Sequence, residues 1–147
     1  MRPWLIRGLG MALLHTVAAV LLAKAEVFQP TGVSVITAAT IAVLVGASAL
    51  WSALDAWLRR PEAGKTWFIA AIIAGPVSGV LSVAGKAMFV DQTGMSELGP
   101  ALTGGAAFTA LLVLIPAGLG LLVGGRIEAP HKHAAADAQR TSDEPVG

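Results

Sequence analysis

Apolar residues dominate four long stretches of the chain, Trp4 to Ala23, Val33 to Trp57, Trp67 to Met88 and Ala101 to Gly125, separated by short polar segments. Each stretch approaches or exceeds the roughly 20 residues a helix needs to cross the hydrocarbon of a bilayer. Backbone inside lipid must satisfy its own polar groups, which restricts spanning elements to helices and closed barrels. The residue-by-residue alternation of a barrel strand is missing. The pattern predicts an all-α integral membrane protein with four transmembrane helices in residues 1–126. After it, residues 127–147 turn to Ala, Asp, Arg, Ser and Pro, the composition of a disordered cytoplasmic tail.

Composition sharpens this picture. Of 147 residues, 13% are charged and 55% hydrophobic, with a mean hydropathy of +0.73, a membrane rather than a soluble profile. There is no cysteine, which excludes disulfides, thiolate metal sites and thiol redox chemistry. The net charge of +1 conceals an asymmetry. Arg2, Arg7, Arg59, Arg60, Lys65, Arg126, Lys132 and Arg140 gather at the chain start, between the second and third runs, and after the fourth. Only Lys24 and Lys86 fall on the other side, with Asp91 and Glu97. By the positive-inside rule both termini are expected in the cytoplasm. A second reading of the N-terminus is a secretory signal, with Arg2 and Arg7 before an apolar core and a small-residue site around Ala23-Lys24-Ala25.

The segments Lys24-Ala25-Glu26-Val27-Phe28-Gln29-Pro30-Thr31-Gly32 and Lys86-Ala87-Met88-Phe89-Val90-Asp91-Gln92-Thr93-Gly94 match at Lys, Ala, Thr and Gly, and a one-residue shift pairs Trp4 with Trp67. Two readings fit. Two helical hairpins could form a parallel repeat of the kind found in transporters. Snorkelling lysines and ordinary Thr-Gly turns would produce the same marks by convergence. Gly64-Lys65-Thr66 ends like a phosphate-binding loop, but Arg59 occupies the place of its first glycine and no strand precedes it.

Helical periodicity sorts the remaining polar residues onto faces. His15 lies near mid-depth on a small-residue stripe with Gly8, Ala12 and Ala19; it reads either as a proton-accepting or substrate-contacting group or as a neutral histidine bonded to a neighbouring helix. The second helix aligns Thr37, Ser48, Ser52, Asp55 and Arg59. Asp55 and Arg59 stand four apart, which predicts an interfacial ion pair, with Trp51 and Trp57 as anchors at headgroup level. The third aligns Gly75, Ser78, Gly79, Ser82 and Lys86 around Pro76, and the fourth aligns Gly105, Thr109, Pro116, Gly120 and Gly124. Both are expected to be packing faces, kinked at their prolines.

Catalytic chemistry is hard to assemble. No nucleophile, base and orienting group come together, no carboxylate pair lies within the spans, and basic residues are too sparse for a nucleic-acid surface. His131-Lys132-His133 offers two imidazoles in the tail and no preorganised metal site. The expectation is a protein that is not an enzyme and needs neither cofactor nor metal.

Four strings resemble a known group: Trp4-Leu5-Ile6-Arg7-Gly8-Leu9, Trp51-Ser52-Ala53-Leu54-Asp55, Gly75-Pro76-Val77-Ser78-Gly79, and Phe108-Thr109-Ala110-Leu111-Leu112-Val113-Leu114-Ile115-Pro116-Ala117. They look like the small actinobacterial four-span members of the drug/metabolite transporter superfamily, over Trp4 to about Arg126. The resemblance implies an inner-membrane protein that moves a small molecule, from a superfamily whose minimal units dimerise. The similar small multidrug resistance proteins carry a glutamate in helix one; here that helix has no carboxylate, and His15 is the ionisable group nearest that depth.

Two functions follow as expectations. The first is a homodimeric transporter with its pathway between protomers, because small-residue faces should leave little room inside one bundle; His15, Ser48, Ser78 and Thr109 would line it. The second is an accessory membrane protein that docks a cell-envelope partner through the same glycine faces.

Overall fold

The computed structural model describes residues 2–90 and 95–127. Among them every regular element is helical: α1 (Pro3–Phe28), α2 (Val33–Trp57), α3 (Ala63–Phe89) and α4 (Leu98–Arg126). A 3-10 turn at Met95–Glu97 leads into α4, whose second turn is a π segment, Ala101–Gly105. Asp91, Thr93 and Gly94, and the tail with His131, Lys132 and His133, lie outside the described residues.

Local sequence accounts for these boundaries. Pro3 stands in the first turn of α1, where its missing N–H costs nothing. α2 stops at Trp57, and beyond it Arg59 takes a left-handed φ of 53° ahead of Pro61. At 25 to 29 residues the helices are roughly 38 to 44 Å long, enough to cross a 30 Å hydrocarbon layer. Their outward faces are apolar: Leu13, Leu50 and Leu122 are each more than half exposed. Four helices with such surfaces define a multi-pass membrane bundle.

Around the bundle the order is α1, α3, α4, α2, with the α1–α2 seam the most sparsely packed. Glycine contacts give the directions. Gly8 lies against Ala70 and Gly85 against Val20, so α1 and α3 run parallel; Gly120 meets Ala49 and Gly124 meets Ala53, so α2 and α4 are parallel too. Gly75 against Ala106 and Gly79 against Ala101 make α3 and α4 antiparallel. Lys24 and Lys86 therefore sit at the same end of the bundle, and Arg7, Asp55 and Lys65 at the other.

The small residues set this packing. A Cβ at Gly120 would overlap Ser52 Oγ and the Ala49 carbonyl, and one at Gly124 would overlap the Ala53 carbonyl. Without side chains there, backbones approach closely enough for dispersion to hold helices together in a solvent as apolar as the helices themselves. α3 and α4 remain helical through Pro76, which faces outward, and Pro116, which is buried.

Candidate functional site: a one-sided cavity

The two halves of the bundle are packed differently. Toward the arginine-rich end, Met11, Ala12, Trp67, Ala71, Ala74, Val113 and Ala117 form a continuous core. Toward the Lys24 and Lys86 end, the helices surround a cavity of about 760 Å³. It runs along α3 from Lys86 to Ser78, a depth of roughly 12 Å at the rise of an α-helix.

All four helices contribute to its wall. His15 of α1, Leu44 of α2, Ser78 of α3 and Leu112 of α4 surround its deep end, and Lys86 and Glu97 lie nearer the mouth. The π segment of α4 borders it through Ala101 and Gly105. Such a bulge breaks the regular register and is common beside functional sites. Most of the remaining wall is aliphatic or aromatic, including Leu22, Ile41 and Phe108.

His15 is 6% exposed, and its Nδ1–H donates to the Met11 carbonyl at 2.9 Å. A carbonyl can only accept, so the proton on Nδ1 is fixed by this bond. Nε2 is buried and has no hydrogen-bond partner among the described residues. Ser78 Oγ donates to the Gly75 carbonyl, Ser82 Oγ to Gly79 and Thr40 Oγ1 to Ile36, each within its own helix.

The opposite end is shut by charge. Asp55, 3% exposed, accepts from Arg7 Nε at 2.5 Å and Nη2 at 2.6 Å, and from Trp67 Nε1 at 2.9 Å. Arg7 Nη1 donates to the Pro3 carbonyl, and Arg60 Nε approaches Asp55 Oδ1 at 3.3 Å. This cluster ties α1, α2 and α3 together across the seam that packing leaves weakest. Trp51 stands edge-on to Trp67, with ring centroids 5.9 Å apart.

Several expectations change here. Asp55 does not pair with Arg59: α2 ends before Arg59, whose left-handed backbone breaks the four-residue register, and Arg7 and Arg60 take its place. Arg7 is no surface charge but a buried residue of α1, and Trp51 packs inward against Trp67 and Gly10. Of the four residues expected along a pathway, His15, Ser78 and Thr109 border the cavity together. Ser48 does not; it is fully buried in the closed half and bonds to the Leu44 carbonyl. Small-residue faces do not fill the bundle either: Gly79 and Gly85 bring α3 close to α4 and α1 within the open half, and the space between the four helices there remains.

Sequence reading missed Arg7 and Trp67 as partners of Asp55. The available signal was a guanidinium one turn inside an apolar helix, a place where a charge demands a partner. Compared with known proteins, the chain matches no family model and no curated sequence. The likeness of its helix-four string to a transporter group therefore assigns no family, and fold and site define the class directly: an all-α, multi-pass membrane protein with a cavity entering from one end.

Proposed function

We propose that this protein is a carrier for a small molecule, holding its substrate in the cavity between the four helices of one protomer and opening alternately toward either side of the membrane. One observation supports this above the others: a cavity that reaches mid-bundle from the Lys24 and Lys86 end and stops at a closed half fastened by a buried ion pair. A carrier needs a site reachable from one side at a time and a closure that can be exchanged for another. Here the closure is a discrete bonded cluster on the loosest seam, which suits a bundle that rocks rather than one that stays shut.

In this reading the arginine-rich end faces the cytoplasm with both termini, and the cavity faces outward. His15, Ser78 and Thr109 contact the substrate, while Arg7, Asp55 and Trp67 form the inner closure. A homodimer remains part of the proposal through the exposed outer faces, but the cavity does not require a second copy. The carrier reading is preferred to the accessory one because Gly75, Gly79, Gly120 and Gly124 make contacts within the protomer.

The cysteine-free chain makes a direct test possible. Thr109→Cys should react with a membrane-impermeant thiol reagent from the cavity side. Ser48→Cys and Ser52→Cys, near-isosteric reporters in the closed half, should react more slowly and from the arginine-rich side. Complete inertness of both closed-half reporters over hours, beside prompt labelling of Thr109→Cys, would sink the carrier reading and leave a static vestibule.

A further inference from the structure

Four of the six uncharged polar side chains bordering the cavity, all but Thr37 and Thr109, share a property that composition does not show. A serine or threonine hydroxyl has one proton to donate and two lone pairs to accept with. Ser78, Ser82 and Thr40 each spend that proton on a carbonyl of their own helix, at 2.9, 2.9 and 2.8 Å. His15 does the same with its Nδ1 proton, toward Met11. What these four side chains have left to offer is lone pairs. The Nε2 of His15, buried and unpartnered, is the clearest case, because an acceptor kept from water without a donor is costly unless something supplies one.

Charge narrows the class further. Among the described residues, the charged ones bordering the cavity are Lys86 and Glu97, of opposite sign and nearer its mouth. Asp55 is engaged with Arg7, Arg60 and Trp67 in the closed half and supplies no counter-charge to the deep end. A cation or anion carried inward would lose its hydration without an opposite charge to meet it. Leu44, Phe108 and Leu112 make the rest of the wall apolar.

We infer that the cavity binds a small, uncharged solute bearing several O–H or N–H donors, of the polyol kind, held by its donors on Ser78, Ser82, Thr40 and His15 with its carbon skeleton against the apolar wall. This rests on the cavity being a substrate site, as proposed above, and not on movement of the substrate across the membrane.

The test uses erythritol and its fully O-methylated ether, which keep one skeleton and differ in their donors. Each is added while a charged thiol reagent labels Ala19→Cys, a position in the cavity wall without a polar side chain, in the reconstituted full-length protein, with Gln29→Cys, in the exposed loop at the same end of the bundle, reporting any general effect on the reagent. Erythritol should slow labelling of Ala19→Cys by at least about threefold relative to Gln29→Cys at a concentration several times a millimolar-range Kd, and the ether should not. Ser82→Ala or His15→Phe, added to the reporter, should each weaken the protection by about three- to tenfold. Should His15→Phe fail to fold, Ser82→Ala, at a half-buried position, carries the comparison. Equal protection by the ether, or none by either probe, overturns the inference. Protection by erythritol with closed-half reporters that never label keeps the inference and defeats the carrier reading, so the two failures are distinct.

Discussion

The ion pair between Arg7 and Asp55 allows the most exacting test of the closed end. Its two side chains are 8% and 5% exposed, so water screens them little. Breaking a buried pair from one side costs about 3–5 kcal/mol, because the survivor stays buried and unpaired, whereas replacing both members with apolar groups is often near neutral. The geometry orders the single variants. Asp55→Leu leaves Arg7 with the Pro3 carbonyl alone and strands the Trp67 N–H, so it falls at about 4–5 kcal/mol. Arg7→Met leaves Asp55 with the Trp67 N–H and the half-exposed Arg60, so it falls nearer 3 kcal/mol, by the same rule. The double variant retains one penalty, the unpaired Trp67 N–H, of about 1–3 kcal/mol. Reversible unfolding of the purified protein in mixed micelles by titration with SDS, followed by tryptophan fluorescence, gives all four corners of the cycle. A coupling of several kcal/mol is expected, with the double variant more stable than Asp55→Leu alone. Additivity to within about 0.5 kcal/mol would show that the two residues do not act as a pair and would remove the closure from the mechanism.

Other outcomes follow from the same contacts. Asp55→Asn should speed labelling of Ser52→Cys from the arginine-rich side by about tenfold or more, the factor for each 1.4 kcal/mol removed from the closure; an unchanged rate would mean that something else keeps this end shut. Gly124→Ala should destabilise the bundle by about 1–3 kcal/mol through its overlap with the Ala53 carbonyl, whereas Gly118→Ala, with open space at its Cβ, should be neutral or slightly stabilising in the same SDS titration. Equal effects would show that α2 and α4 are not in close backbone contact. Once a substrate is in hand, His15→Ala and Thr109→Val should lower flux in reconstituted vesicles without changing the unfolding midpoint by more than a modest amount; full flux in both would take them out of the substrate site. A reporter domain fused after Thr31 should lie outside the cell and one after Pro61 inside, and the reverse result would invert the proposed topology.

Much of the architecture was legible because lipid imposes it. Apolar runs long enough to span force helices, since each helix satisfies its own backbone, and no tertiary information is needed for that step. The stripe through Gly120 and Gly124 and the one through Gly75 and Gly79 were likewise visible as faces where helices approach. Sequence periodicity also placed His15, Ser78 and Thr109 on inward faces. What it could not show was which faces meet.

That pairing of faces decided everything specific about the site. A stripe of small residues looks the same whether it closes against a neighbour or flanks a cavity; only the packing order α1, α3, α4, α2 shows that Ser48 is sealed while Ser78 borders open space. Asp55 illustrates the same limit. Four residues before Arg59, it reads as half of a local pair, because spacing along one helix is all a sequence displays. The bonds that matter to it cross to α1 and α3, where Arg7 and Trp67 are distant in the chain and adjacent in space. Elements follow from the local balance of backbone and solvent, and the sequence alone determines them. A cavity, and a lock on its far end, come from contacts between elements, and those exist only in the folded bundle.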